Sequence, residues 1–178
     1  MLVLDQKGPR RAGPLPGATE KIFLLPGQWY FGHTGAHVKT LLGSCVAITL
    51  WHPRRQAGGM CHFLLPSRLK RGEGELDGRF GEEAGELLLG AIRRSGTRPQ
   101  DYEAHLYGGA DTMPDQAKVK FNIGERNVEK AWEIIDHCGF QLQCVDVGGN
   151  EPRNVAIDLS TGQVVLRRGA GHGHKKGA

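Results

Sequence analysis

The chain has 178 residues, room for one domain and short for two, with 39% hydrophobic and 24% charged residues. Those proportions exclude wholesale disorder, and apolar runs as short as residues 46–51 exclude a helical membrane span. The formal charge of +4 suggests nucleic acid, but residues 1–21 carry 4 basic and 2 acidic side chains and 167–178 carry 4 basic and no acidic ones, leaving 15 basic and 17 acidic over 22–166; a phosphate-binding face needs its cations on the folded surface, so no nucleic-acid partner is expected.

In chain order, residues 1–20 are Pro/Gly-rich and unpatterned, which predicts a flexible N-terminal tail. The apolar start breaks at Asp5, unlike a secretory leader, so the expected location is the cytoplasm. Residues 21–25 read as a strand closed by Pro26-Gly27. Residues 45–51 and 57–65 are two apolar runs around His52-Pro-Arg-Arg-Gln56, which predicts a hairpin. Residues 81–94 place Leu87, Leu88, Leu89 and Ile92 behind acidic residues, the pattern of an amphipathic helix with a favourable dipole. A strand is expected over 101–107, ending at Gly108-Gly109. A second helix is expected over 127–137, with Val128, Ala131, Trp132 and Ile135 on its buried face and Gly139 as its stop. Residues 140–147, 154–159 and 163–167 read as strands, and 169–178 as a low-complexity basic tail. Helices and strands that do not strictly alternate predict a single α+β domain over 21–168, with antiparallel or mixed sheet.

The chemistry concentrates in Leu42-Gly-Ser-Cys-Val-Ala-Ile-Thr-Leu-Trp51 and Gly58-Gly-Met-Cys-His-Phe-Leu-Leu-Pro66. Cys45 follows Gly43-Ser44, where a turn would leave backbone N–H groups free to hold an oxyanion. With residues 52–55 as the hairpin loop, Trp51 faces Gln56 and Cys45 faces His62, with Cβ atoms about 5 Å apart. An imidazole at that range can take the thiol proton and create a nucleophile. The same residues in apolar strands also suit plain core packing. Cys61, Cys138 and Cys144 match no zinc spacing and are expected as small buried hydrophobes. His33 and His37 lie among glycines that argue against a shared helix, and His172 and His174 sit in a tail without preformed geometry, so no metal site is expected. Gly108-Gly109 and Gly148-Gly149 lack the strand–helix context of a dinucleotide loop.

The residues Thr40-Leu-Leu-Gly-Ser-Cys-Val-Ala47 and Gly58-Gly-Met-Cys-His-Phe-Leu-Leu-Pro66 resemble the chemoreceptor glutamine deamidase family CheD. Leu106-Tyr-Gly-Gly-Ala110, Ile123-Gly-Glu-Arg-Asn127 and Asp146-Val-Gly-Gly149 continue the resemblance in order, from about residue 22 to 167. It implies a cytoplasmic protein-glutamine glutaminase that hydrolyses side-chain amides on the cytoplasmic helices of methyl-accepting chemotaxis receptors. It also implies a cysteine-hydrolase fold of packed mixed or antiparallel sheets flanked by helices, like that of the deamidating necrotizing-factor toxins. By position, Cys45 becomes the nucleophile, His62 the general base and Thr40 the third catalytic member, with no metal or organic cofactor. Cys61 departs from the family pattern, which often has Asn there. The resemblance further implies a CheC-type phosphatase as a partner. It leaves two other readings open, a regulatory binding module and a related cysteine acyltransferase or protease.

Overall fold

Over residues 19–33, 35–112 and 122–169, which the computed structural model describes, the chain forms nine strands and two α-helices. The strands are β1 (Glu20–Leu24), β2 (Trp29–His33), β3 (Ala36–Leu42), β4 (Val46–His52), β5 (Ala57–Phe63), β6 (Glu103–Gly108), β7 (Gln141–Val147), β8 (Arg153–Asp158) and β9 (Val164–Arg168). The helices are α1 (Gly81–Arg94) and α2 (Ile123–Cys138). The tails expected at 1–20 and 169–178, with His172 and His174, lie almost wholly outside the described residues.

The strands make two sheets. One runs β1-β3-β8-β9, the other β2-β5-β4-β6-β7. All neighbours are antiparallel except the β1–β3 and β6–β7 pairs, so both sheets are mixed. The alternation of β4 sets the layering. Val46, Ile48 and Leu50 join Leu88, Ile92, Ile134 and Ile135 in a core beneath the helices. Ala47 and Met60 turn the other way and meet Val38, Leu42, Val155 and Ile157 of the four-stranded sheet. The order is therefore sheet, sheet, helices, an α+β arrangement in which β4 and β5 are covered on both faces.

Helix α1 has the bounds its pattern predicts. Helix α2 starts four residues earlier than expected because Asn122 caps it, accepting from the Glu125 N–H at 3.1 Å. Its buried stripe is Gly124, Asn127, Ala131, Ile134 and Ile135, and Trp132, one step off that stripe, is 45% exposed. Strands β2 and β3 were not expected. β2 is buried at four consecutive positions, so it shows no alternation. β3 alternates strictly, but with Thr40 inside and Leu41 outside, which hides the pattern from a hydrophobicity reading.

The hairpin register corrects an expectation. Its loop is Pro53–Gln56 rather than 52–55, so His52 faces Ala57, and His62 faces Ala47 instead of Cys45. Proline cannot donate to a ladder and suits the first corner of a turn, so the last paired residue is His52. The His52 Nδ1 accepts from the Arg55 N–H at 3.3 Å, and its ring stands edge-on to Tyr102. Both sides of the turn move by one residue, so the parity of the two strands is kept.

β5 carries Gly58 and Gly59 between two strands, where an added Cβ would fall 1.9 Å from the Leu50 and Tyr30 carbonyl oxygens respectively. Replacing either with alanine forces backbone apart in the middle of the sheet. Gly58→Ala and Gly59→Ala are each expected to cost at least ~2 kcal/mol, a fall of roughly 4–8 °C in Tm by thermal melting.

Candidate active site

Cys45 stands where the chain changes sheets. β3 ends at Leu42, Gly43-Ser44 bends, and Cys45 precedes β4 by one residue. Three consecutive carbonyls of this crossing are held. The Ala110 N–H donates to the Gly43 oxygen at 3.1 Å, the Asn127 Nδ2 to the Ser44 oxygen at 3.1 Å, and the Gly109 N–H to the Cys45 oxygen at 2.9 Å. The Ser44 N–H finds no backbone acceptor among the described residues, and the Cys45 N–H acts on its own sulfur. Gly108, at φ 113°, has to be glycine here: a Cβ would lie 2.2 Å from the Cys45 oxygen. The thiol itself is half-buried at the margin of the inter-sheet core.

His62 and Thr40 come from different sheets and meet between them. His62 is 1% exposed and Thr40 fully buried, and the Thr40 Oγ1 lies 2.6 Å from the His62 Nδ1. The same hydroxyl donates to the Leu24 carbonyl oxygen at 2.8 Å. A carbonyl only accepts, and a hydroxyl has one proton to give. The chain of bonds therefore runs from the His62 Nδ1–H to Thr40 to Leu24. This fixes the neutral tautomer whose Nε2 carries a lone pair, and the buried Nε2 has no partner among the described residues.

Cys45 and His62 share the face of the five-stranded sheet that looks toward the other sheet, as diagonal rather than opposed neighbours. Burial lowers the His62 imidazole to about 4. Burial also pushes the Cys45 thiol up, offset only in part by its own backbone N–H. At neutral pH the pair is an uncharged thiol and an uncharged imidazole, not a thiolate–imidazolium pair.

The other sulfurs part company with it. Cys61 faces the helices, fully buried, with its thiol pushed up to about 12 by that burial. Cys138 is half-buried. Cys144 is exposed, against expectation, because β7 is an edge strand with little covering it. His33 and His37 stand on strands of different sheets, β2 and β3.

Two supports escaped the sequence reading. Arg153 is a buried cation whose Nε donates to the Asp146 Oδ1 at 2.8 Å and whose Nη2 donates to the Gly148 oxygen at 2.8 Å. Asp146 also pairs with Arg168; although burial works the other way, hydrogen bonds from Arg168 and Arg153 hold its carboxyl below the usual range. The Gly148 N–H donates to the Gly108 oxygen, so this ion cluster buttresses the turn that grips Cys45. Asn127 is the second support. A lone asparagine opening a helical pattern gives no hint of either.

Two stacked sheets, a thiol at the crossing between them and a buried threonine–histidine pair define a small α+β protein with a thiol–imidazole site. The chain belongs to the CheD family. The family model described as CheD chemotactic sensory transduction matches residues 64–168. A probable chemoreceptor glutamine deamidase, CheD 3 of Dechloromonas aromatica, is 42% identical over 151 residues, covering 85% of this chain and 89% of that one. CheD 1 of Chromobacterium violaceum, with the same description, is 40% identical over 90% of this chain and 83% of its own. A match of 151 residues in 178 cannot leave out residues 28–151, so Thr40, Cys45 and His62 fall inside it. The solved Bacillus licheniformis hypothetical protein YfiH overlays with a TM-score of 0.41 at 15% identity, over 66% of this chain and 49% of that one.

The buried neutral imidazole sets an acid limit on stability. Its folded value of about 4 lies below the ordinary 6.5, so between those pH values the unfolded chain binds a proton that the folded chain refuses. Stability is therefore expected to fall by about 3 kcal/mol as pH drops through that window, and to level off below it. Urea titrations of wild type and His62→Gln over this range should differ by that amount, with the variant the flatter of the two.

Proposed function

We propose that this protein is a chemoreceptor glutamine deamidase, in which Cys45 is the nucleophile, His62 the general base and Thr40 the group that orients it. The observation that carries this reading is the one-way chain from His62 Nδ1–H through Thr40 to Leu24, which leaves the Nε2 lone pair available on the face that Cys45 shares. A histidine that only packs would also be hydrogen-bonded, but leaving Nε2 buried without a partner costs stability, which packing alone does not account for. The domain 21–168 carries this chemistry, and its substrate is the cytoplasmic helices of methyl-accepting chemotaxis receptors, which the names of the relatives support.

Because both partners start uncharged, the proton moves as the bond forms. The Cys45 sulfur attacks the carboxamide carbon of a receptor glutamine while its proton passes to the His62 Nε2. In this reading the backbone N–H groups beside Cys45 receive the developing oxyanion. The tetrahedral species collapses, the C–N bond breaks, and the imidazolium gives its proton to the departing ammonia. Water then attacks the thioester with His62 again as base, releasing glutamate and the free thiol. Every step uses side chains and water alone.

Incubating the protein with a receptor cytoplasmic fragment, and reading each peptide for the mass gain of amide-to-acid conversion, tests the assignment. Cys45→Ala and Cys45→Ser are expected to abolish conversion, while Cys61→Ala, Cys138→Ala and Cys144→Ala retain it. His62→Ala should lose about 100-fold or more, the usual weight of a general base. Thr40→Val should cost roughly tenfold to a hundredfold, the worth of a lost orienting hydrogen bond. Full activity in Cys45→Ala moves the chemistry elsewhere and leaves the binding-module reading. The acid limb of kcat/KM should lie well below pH 6.5, toward the His62 value of about 4.

A further inference from the structure

The ladder between β4 and β5 ends at the pair Val46 and Phe63. Cys45 lies one residue beyond that end. The Gly109 and Ala110 N–H groups hold its segment from the β6 side, and Asn127 ties it to the β5 side. This asparagine is fully buried in the second turn of α2, and its Nδ2 donates to two carbonyls, Ser44 at 3.1 Å and Leu64 at 2.8 Å. Ser44 immediately precedes Cys45, and Leu64 follows His62 by two residues. Both amide protons are thus spent joining the two segments just past the point where the ladder stops.

We infer that Asn127 is a positioning residue that sets the distance between Cys45 and His62, an inference that rests on their reading as nucleophile and base. Two carbonyls on one side of the amide assign that side to the NH2 group, which leaves the Oδ1 buried without a partner among the described residues. A buried unsatisfied oxygen costs stability, so packing alone does not account for an amide here. The helix that carries Asn127 is itself seated against the crossing. A Cβ on Gly124 would fall 2.5 Å from the Gly109 oxygen and 2.8 Å from the Ala110 oxygen, and those two residues donate the N–H groups that hold Cys45 and Gly43. Helix, turn and both strand ends are therefore in direct contact, with Asn127 as the link that reaches both sides of the site.

The test compares wild type, Asn127→Asp and Asn127→Ser, alone and combined with His62→Ala. Asn127→Asp keeps the shape but loses the donors, and Asn127→Ser shortens the side chain without adding charge. Deamidation of the receptor fragment gives kcat and KM, and iodoacetamide labelling read peptide by peptide gives the reactivity of Cys45 with exposed Cys144 as internal control. The expected result is a fall of about 100-fold in kcat, with KM within a few-fold. Cys45 labelling should fall to the level of His62→Ala, with no further loss in the double variants and no change at Cys144. Wild-type kcat and Cys45 labelling in a folded Asn127 variant overturn the inference. So do losses that add to those of His62→Ala, and so does failure of both single variants to fold, which makes Asn127 a core residue only. An active Cys45→Ala protein instead overturns the proposed function, and leaves the effect of Asn127 on Cys45 labelling standing.

Discussion

A hydroxyl from one sheet and an imidazole from the other meet in the dry space between the layers, and neither is stable there alone. Burying Thr40 and His62 without a partner would cost each its hydration. Paired, they lock the relative register of the two sheets, since sliding β3 by one residue would turn Thr40 to solvent and put Leu41 in its place. The Leu24 carbonyl draws β1 into the same constraint. Its parallel pairing with β3 sets Leu24 beside Thr40, so the edge strand settles which nitrogen of His62 carries the proton.

The rest of the fold serves the crossing next to that pair. Residues 43–45 have no ladder of their own, and their three carbonyls are tied to two parts of the chain: Gly43 and Cys45 to the loop after β6 through Ala110 and Gly109, and Ser44 to α2 through Asn127. Arg153 and Asp146 reinforce the loop from behind through Gly148 and Gly108. A buried ion pair of this kind is weak evidence for stability, but its carbonyl contacts give it a clear geometric effect. The consequence is a crossing whose three carbonyls are all held from outside it.

Sequence patterning revealed more of the elements than of their pairing. α1 was readable to the residue because acidic side chains, a leucine stripe and basic residues agree about its ends. The fold class and the parity of Cys45 with His62 were readable too, because alternation in β4 and β5 is a local property. The register was not, because Pro53 shifts the turn by one residue on each side. β3 stayed hidden since its inward threonine and outward leucine invert the usual signal. The meeting of Thr40 with His62 depends on two sheets stacking, which no local pattern encodes. Asn127 and Arg153 were invisible for the same reason: Asn127 acts on carbonyls 83 and 63 residues of chain away and Arg153 on one 45 away, reading backbone that carries no residue identity.

The resting state of the Cys45–His62 pair has a bearing on how such a protein survives in a cell. Oxidants attack thiolates far faster than thiols, and cysteines kept permanently ionised are the ones that accumulate sulfenic acid. Here burial raises the thiol and lowers the imidazole, so both work against a standing thiolate, the form that peroxide attacks.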